Sequence, residues 1–313
     1  MSEIALSPPR PGVLPPRQPI TGATRLVGVM GWPVAHSLSP QMHNAAFAAL
    51  GLDWAYVPFA VPPPQLAAAV AGLVALGFAG CNATVPHKTA LASLIRARGE
   101  LTPVAAAIGS VNTIVVRPDG SLLGDSTDGY GFLMDLRAHG ALMGQWARRP
   151  SGQTADARMS EATDCAEAMS PRRPVIVIGA GGAARAVVYA LAEAGARVAV
   201  VNRTVAAAEE LCRIVSDALP GAELAAHPFP AALSALAADA GLIVNTTSLG
   251  LHGAADPLPW DPTVPFRPDQ VVYDLIYHVR TPLLALAEAA GAPVAVMYEA
   301  LGRRQPLHPA ERR

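Results

Sequence analysis

Residues 175–184 read Val-Ile-Val-Ile-Gly-Ala-Gly-Gly-Ala-Ala. The apolar run predicts a buried strand, and the G-x-G-x-x-A pattern after it predicts a tight turn into a helix. Gly179 permits the turn, Gly181 lets a pyrophosphate approach the backbone, and Ala184 allows close helix–strand packing. The free N–H groups at the helix start favour an anion. The stretch therefore predicts a dinucleotide site formed by Gly179, Ala180, Gly181, Gly182 and Ala183.

Strands and helices alternate on both sides of this motif. After Pro174 the patterns predict strands at 175–178, Arg197–Val201, Leu242–Asn245 and Val271–Leu275, and helices at Ala183–Ala194, Thr204–Leu219 and from Thr281-Pro282 to near Gly291. Such alternation is typical of a doubly wound parallel sheet of the Rossmann type. We expect this dinucleotide domain to span 174–280. We expect 281–313 to form a C-terminal helix and a divergent tail that pack back on the other domain.

The first half of the chain predicts a second α/β domain over 25–139. Its predicted strands are Arg25–Gly31, Trp54–Val61, Gly80–Val85, Val111–Arg117 and Ser121–Gly124, and its predicted helices are Ser39–Gly51 (with Ser39 as N-cap), Pro64–Leu76, Lys88–Arg98 and Asp128–His139. Asp119-Gly120 predicts a hairpin between the last two strands. Residues 1–24 are Pro-rich and predict a disordered tail, and 140–173 predict a flexible insertion.

Composition excludes several classes of protein. The chain has 313 residues, of which 51% are hydrophobic and 15% charged, and a net charge of -1. This balance does not indicate a nucleic-acid or membrane partner, and there is no apolar run long enough for a membrane span. The prolines near the start do not suit a signal peptide. Cys81, Cys165 and Cys212 are odd in number and widely spaced, which disfavours a disulfide framework or a zinc site and favours a cytoplasmic location.

Lys88 is the only lysine among 23 basic residues. It lies at a predicted helix start, where the helix dipole disfavours a cation. Lysine can lose its proton at an accessible pH, whereas arginine effectively cannot, so we interpret Lys88 as a functional residue. The alternatives are a chance of composition or a solvated side chain at a frayed helix end.

The residues after the second predicted strand of the dinucleotide domain bear on the cofactor. An NAD site usually has an acidic residue at this place, where this chain has Asn202, Arg203 and Thr204. The next carboxylate after them is Glu209. A cation and two short polar side chains suit a 2′-phosphate, so the sequence favours NADP(H) over NAD. Taken without the glycine motif, Arg203 would be read as a solvated surface residue.

Three polar clusters follow predicted strands in the first domain. They are His36-Ser37-Leu38-Ser39, Asn82-Ala83-Thr84-Val85-Pro86-His87-Lys88, and Asn112-Thr113 together with Asp125-Ser126-Thr127-Asp128. The serine pair precedes a helix and suits a carboxylate. Ser39 and Asp128 also have a simpler interpretation as helix caps.

These motifs, in this order, resemble the shikimate dehydrogenase family. The resemblance extends from about Arg25 to about Val296 and includes three further motifs, namely Asn245-Thr246-Thr247-Ser248-Leu249-Gly250, Tyr273-Asp274-Leu275-Ile276-Tyr277 and Thr281-Pro282-Leu283-Leu284. It implies a reversible, NADP-dependent reduction of 3-dehydroshikimate to shikimate without a metal, by a monomer or homodimer. It also implies that Ser37 and Ser39 bind the ring carboxylate, that Thr84, Asn112 and Tyr277 contact substrate, that Lys88 and Asp128 lie beside the reacting carbonyl, and that Leu275 contacts the cofactor.

The chain departs from the family pattern in three places. Ser126 replaces an Asn, and Ala207 replaces a second basic residue that often follows Asn-Arg-Thr. After Val296 the expected Gly-rich loop and Gln-bearing helix are not recognisable, and Gln305 cannot be assigned to the substrate role. Two alternatives therefore remain open: an NAD-dependent quinate/shikimate dehydrogenase, and a non-catalytic nucleotide-binding relative.

Overall fold

The computed structural model describes residues 19–138 and 173–296, which form two six-stranded sheets flanked by helices. The predicted class, a two-domain α/β protein with a Rossmann-type parallel sheet, is confirmed. The predictions for the N-terminal tail through residue 18, for the helix end at His139, for the 140–173 insertion through residue 172 and for the chain after 296 lie outside the described residues.

The first sheet is mixed, with the strand order β2-β1-β3-β5-β6-β4. Its strands are β1 Arg25–Gly31, β2 Trp54–Ala60, β3 Gly80–Ala83, β4 Glu100–Leu101, β5 Thr113–Val116 and β6 Leu122–Asp125. The strand β1 pairs in parallel with β2 and β3, whereas β5 is antiparallel to both β3 and β6. The predicted hairpin at Asp119-Gly120 joins β5 to β6, and Gly120 has the positive φ that this turn requires.

The second sheet is wholly parallel, with the order β12-β11-β10-β7-β8-β9. Its strands are β7 Val175–Ile178, β8 Val198–Asn202, β9 Leu224–Pro228, β10 Leu242–Asn245, β11 Val271–Asp274 and β12 Val294–Val296. This is the order of a dinucleotide-binding sheet, in which the first strand, β7, lies beside the fourth, β10. Ligands bind such sheets at the carboxyl ends of these two central strands, where the strand order reverses.

Helices connect the strands and cover both sheets. They are α1 Ser39–Ala49, α2 Leu66–Ala75, α3 Lys88–Arg96, α4 Pro103–Ile108, α5 Asp128–Ala138, α6 Gly182–Glu193, α7 Val205–Ala218, α8 Leu233–Ala237 and α9 Pro282–Ala289. The helix α5 follows β6 of the first sheet in the chain but packs on the second sheet. Its Phe132 and Leu136 are buried with Val177 and Leu191. This helix and its contacts with α6 join the two domains.

The position of Ser39 and five short elements differ from the sequence interpretation. Residue Ser39 begins α1 instead of capping it, since Leu38 occupies the cap position and the Ser39 N–H donates to Ser37 Oγ at 3.3 Å. The short β4 and α4 were not predicted, although Thr102-Pro103 is the same start signal as Thr281-Pro282. The edge strands β9 and β12 and the short helix α8 were also missed, because Ala-rich stretches of three to five residues have little periodicity.

The helix at the start of the expected 281–313 segment packs on the second sheet. In α9, Leu283, Leu284 and Ala287 are buried with Ile176 and Ile243 of that sheet. The expectation that the segment packs back on the other domain stays a prediction, because the chain after 296 lies outside the described residues. The pairing of β12 with β11 also extends this sheet past the expected boundary at 280. A sheet of continuous apolar strands needs helices on both faces, and α9 covers part of one face of the second sheet.

Candidate active site

One cavity of about 570 Å³ lies between the two domains. It is lined by all seven residues expected to contact substrate, namely Ser37, Ser39, Thr84, Lys88, Asn112, Asp128 and Tyr277. Two of the expected cofactor residues, Ala183 and Leu275, line the same cavity. The first domain therefore contributes most of the polar lining, and the second domain contributes Ala183, which follows the glycine turn, and Leu275.

Lys88 and Asp128 form an ion pair in this cavity. Lys88 Nζ donates to Asp128 Oδ2 at 2.6 Å, and the two side chains are only 14% and 15% exposed. Each is the first residue of its helix, α3 and α5. The positive end of a helix dipole favours Asp128 but disfavours Lys88, so the lysine depends on the carboxylate for its stabilisation. The alternative of a frayed, solvated lysine does not fit this burial.

Asn112 fixes the other oxygen of Asp128. Its Nδ2 donates to Asp128 Oδ1 at 2.6 Å and to Thr127 Oγ1 at 3.0 Å, while its Oδ1 accepts from the Thr127 N–H at 3.0 Å. Both amide hydrogens of Asn112 are thus engaged within the protein. The carboxylate of Asp128 is held between Asn112 and Lys88, with one oxygen on each.

Asn82 is a cavity residue that was not among the expected site residues. It lies in β3, and its Oδ1 accepts from Tyr56 Oη at 2.7 Å while its Nδ2 donates to Thr113 Oγ1 at 3.1 Å. Asn82 and Thr84 are two positions apart in an extended segment, so they face the same side. The two-residue spacing of Asn82 and Thr84 is visible in the sequence, and it could have indicated that Asn82 lies at the site together with Thr84.

The end of the cavity near Ser37 and Ser39 also carries two histidines that were not among the expected site residues. His36 and His278 come from different domains, and their ring centroids lie 4.8 Å apart. Burial lowers the pKa of His36 below its usual value of 6.5, and the nearby His278 and His252 lower it further. At neutral pH this end of the cavity therefore presents hydroxyls, the neutral imidazole of His36 and the start of α1.

The glycine turn has the form that a pyrophosphate requires. Gly179 has a φ of +112°, and a Cβ added there would lie 2.6 Å from Thr246 Oγ1. A Cβ added at Gly181 would meet no atom within 4 Å, so the turn is open on that side. Gly181 is the N-cap of α6, whose first N–H groups face this opening. These features fit the phosphates of a dinucleotide.

The residues expected to distinguish NADP from NAD follow β8. Because β8 is parallel to β7 and next to it, Asn202, Arg203 and Thr204 lie at the same edge of the sheet as the glycine turn. Asn202 Nδ2 donates to the Thr204 carbonyl at 2.9 Å, which shapes this bend. The side chains of Arg203 and Thr204 are exposed and are not part of the cavity lining.

A buried carboxylate shapes the loop that carries Leu275 and Tyr277. Asp274 is fully buried and accepts from Asn245 Nδ2 at 3.0 Å, from the Ile276 N–H at 3.0 Å and from Thr281 Oγ1 at 2.7 Å. Burial raises the pKa of Asp274 above the usual value, and the three hydrogen bonds oppose this rise. The bonds fix the loop after β11 against the loop after β10.

Metal clusters and membrane-spanning helices are both absent from the described part of the chain. Residues 19–138 and 173–296 contain no cluster of three or more His, Cys, Asp or Glu side chains arranged to hold a metal ion. Over the same ranges, no helix has the length and apolar character needed to cross a membrane.

Comparison with known proteins gives two family matches along the chain. A model described as the shikimate dehydrogenase substrate binding domain matches residues 29–114, and one described as shikimate / quinate 5-dehydrogenase matches residues 161–249. The chain is 43% identical over 279 residues to a shikimate dehydrogenase (NADP(+)) of Citrifermentans bemidjiense, with 88% of this chain and 85% of the relative covered. It is 44% identical over 262 residues to one from Rubrobacter xylanophilus, with 82% and 79% covered.

Solved structures agree with the sequence matches. The structure of shikimate 5-dehydrogenase from Thermus thermophilus with NADP(H) and shikimate is similar to this chain at 31% identity, with a TM-score of 0.67 and 89% of each chain covered. Quinate dehydrogenase from Corynebacterium glutamicum with NAD is similar at 25% identity, with a TM-score of 0.66 and 87% of each chain covered. The fold, the order of motifs and the identity over most of its length show that this chain belongs to the shikimate dehydrogenase family.

Proposed function

We propose that the chain catalyses the reversible, NADP-dependent oxidation of shikimate to 3-dehydroshikimate. The observation that carries the proposal is the Lys88–Asp128 ion pair, 2.6 Å long, inside a cavity that is also lined by Ala183, the residue after the four of the glycine turn. Relatives at 43% identity that are named shikimate dehydrogenase (NADP(+)) support it. The intact pair argues against a non-catalytic relative.

The proposed substrate orientation follows from the charges of the cavity. The shikimate carboxylate binds at the hydroxyls of Ser37 and Ser39 and at the start of α1, where N–H groups and the helix dipole favour an anion. Thr84 and Tyr277 contact the ring from opposite domains. The ring then extends toward Lys88, which places a hydroxyl beside both the ammonium of Lys88 and the carboxylate of Asp128.

The chemistry follows from charge that develops on one oxygen. When bound, NADP supplies the hydride acceptor, and NADPH the hydride donor of the reverse reaction. In the reductive direction the carbonyl oxygen becomes an alkoxide, which needs a proton and a nearby positive charge. Lys88 provides the positive charge and transfers the proton at Nζ. Asp128 orients Lys88 and accepts a hydrogen bond from a substrate hydroxyl, while Asn112 holds Asp128.

NADP is proposed over NAD because of Arg203. Arg203 lies at the bend after β8, and the first carboxylate after it in the sequence is Glu209. Its guanidinium can form charge-assisted hydrogen bonds with a 2′-phosphate. Gly179, Ala180, Gly181, Gly182 and Ala183 would hold the pyrophosphate, Asn202, Arg203 and Thr204 the adenosine end, and Leu275 the nicotinamide end. A cytoplasmic location and a monomeric or homodimeric state stay predictions from the sequence.

The decisive experiment is an assay of the purified full chain with shikimate and NADP, in which the formation of NADPH is followed by absorbance. Parallel assays with NAD and with quinate test the alternative of a quinate/shikimate dehydrogenase. We expect turnover with shikimate and NADP, and a higher kcat/KM for this pair than for any other combination. Preference for NAD or for quinate would replace the proposal with the alternative, and no turnover with any pair would overturn it.

A further inference from the structure

Gly182 brings the cofactor turn into direct contact with Lys88. It is the fourth residue of the turn and the first residue of α6, and it lies on the domain opposite to α3. A Cβ added at position 182 would lie 2.7 Å from Lys88 Cβ and 3.0 Å from Ser110 Oγ. Real Cβ atoms essentially never come this close to another carbon, so the present position of Lys88 requires a residue without a side chain at 182.

Residues 110 and 111 hold both sides of this contact. Ser110 is completely buried, and its Oγ donates to the Gly182 carbonyl at 3.0 Å. The neighbouring Val111 N–H donates to the Lys88 carbonyl at 2.9 Å. Adjacent residues of one segment are therefore bonded to the cofactor turn and to the lysine. This segment therefore fixes the backbone of Lys88 and the backbone of Gly182 relative to each other.

The three glycines of the turn have different neighbours. Gly179 excludes a side chain because of Thr246, on the neighbouring loop of its own domain, and Gly181 faces open space. Only Gly182 of these three lies against the lysine. The requirement for glycine at 182 is thus explained by the other domain and not by the geometry of the turn, since the φ of Gly182 is not in the left-handed region.

We propose that Gly182 is a positioning residue: because it has no side chain, the stem of Lys88 can pack directly against the cofactor turn. The contact stands on geometry alone, and its consequence for turnover rests on the proposed function. A methyl group at 182 pushes the stem of Lys88 away from α6 and displaces Nζ relative to Asp128. A displacement of about 1 Å at a reacting group can lower a rate about 100-fold.

Lys88 can be observed directly because it is the only lysine in the chain. Protein labelled with carbon-13 at the lysine ε-carbon, and expressed without a lysine in any tag, gives one NMR signal. In the full chain without cofactor, we expect Gly182→Ala to change the chemical shift of this signal. The matched control is Gly72→Ala in α2, where an added Cβ meets no atom within 4 Å, and we expect it to leave the signal unchanged.

Ser110→Ala gives a second test that adds no volume and removes the bond to the Gly182 carbonyl. We expect it to shift the lysine signal in the same direction as Gly182→Ala, but less. It also keeps the proposal testable if Gly182→Ala does not fold. A lysine signal that is identical to wild type in every folded variant of this pair would overturn the proposal.

Kinetics provide the second readout. We expect Gly182→Ala to lower kcat for shikimate about 10- to 100-fold, with a smaller change in the KM for shikimate, while the Kd for NADP is measured separately. In a Lys88→Ala background the same substitution should have no further effect on the residual kcat, because it acts through the lysine. An equal fold-loss in both backgrounds would overturn the proposal. If wild type does not turn over shikimate, the proposed function fails, and the lysine signal still decides the positioning role.

Discussion

The two sheets place their polar side chains differently. In the second sheet every residue of β7, β10 and β11 is buried, and the polar Asn245 and Asp274 stand at the last position of their strands. In the first sheet Asn82 lies inside β3 and pairs with Thr113 of β5, and their side chains are hydrogen-bonded at 3.1 Å. The second sheet therefore contributes to the cavity through the segments that follow the carboxyl ends of its strands, whereas in the first sheet a strand residue, Asn82, lines the cavity itself.

This difference has a physical origin. A parallel sheet with helices on both faces buries continuous apolar strands, and a polar side chain within it would lose its hydration. The first sheet is mixed, and Asn82 of β3 and Asn112, just before β5, line the cavity, where polar side chains can bond to each other and to a ligand. We therefore expect substitutions in the first domain's polar network to change turnover, and substitutions in the second sheet to change stability.

The largest effect is expected for Lys88→Arg. Arginine keeps the charge but is bulkier and practically never loses its proton, so it cannot replace a lysine that transfers one. We expect kcat to fall about 10²- to 10⁴-fold, with a much smaller change in the KM for shikimate and in the melting temperature. The measurement is steady-state kinetics with NADP, together with thermal unfolding.

Two further variants make this test specific. The control Arg98→Lys exchanges the same residue types at an exposed position just after α3 and should change neither kcat nor KM. Asp128→Asn should also lower kcat, and the loss in the double variant with Lys88→Arg should be smaller than the product of the two single losses, because the pair acts as a unit. A Lys88→Arg enzyme with near-normal kcat would refute the role of Lys88.

The counterpart in the second domain is Leu191→Ala. Leu191 in α6 is completely buried against β7 and β8, and its truncation removes apolar contacts and leaves a cavity. We expect the free energy of unfolding to fall by about 2–5 kcal/mol, with kcat unchanged at temperatures where the variant is folded. Leu76→Ala, at a position 73% exposed, is the control and should unfold like wild type. A large loss of kcat in folded Leu191→Ala would contradict the division between the two sheets.

Arg203→Ala tests the loops at the edge of the second sheet. Removing one charged hydrogen-bonding group should weaken NADP binding by about 1.5–3 kcal/mol and leave NAD binding almost unchanged. The measurement is a titration of each cofactor by calorimetry. Arg213→Ala is the matched control, because Arg213 lies in the helix that follows and is bonded to Glu210 and Asp217. Equal losses for NADP and NAD would show that Arg203 does not contact the 2′-phosphate.

The difference between the sheets also determined how much could be predicted from sequence. The residues 175–178 are apolar without interruption and are followed by glycines, so the strand, the turn and the parallel class were predictable. Lys88 and Asp128 could be predicted as candidate site residues because the motifs that contain them resemble those of a known family. Other contacts of the site join residues that are far apart in sequence. They are the hydrogen bond from Asn112 to Asp128, the ring contact of His36 with His278 and the contact of Gly182 with Lys88. No local pattern encodes such contacts, since they depend on how separate elements pack.

The smallest predicted effect concerns the joint between the two regions. Tyr273 of β11 is completely buried, and its Oη donates to Asp135 Oδ2 of α5 at 2.6 Å. This bond ties the second sheet to the helix that begins at Asp128.

We expect Tyr273→Phe to lower the free energy of unfolding by about 1.5 kcal/mol, the upper end of the net contribution of a typical hydrogen bond. Tyr130→Phe, on the same helix and 71% exposed, is the control and should not change stability. The helix α5 begins at Asp128, and Asn112 holds that end independently of Tyr273. For this reason we expect kcat to fall less than about tenfold, the equivalent of 1.36 kcal/mol. A larger loss in a folded Tyr273→Phe enzyme would mean that the second sheet positions Asp128 through α5, and the separation of roles between the two sheets would then be wrong.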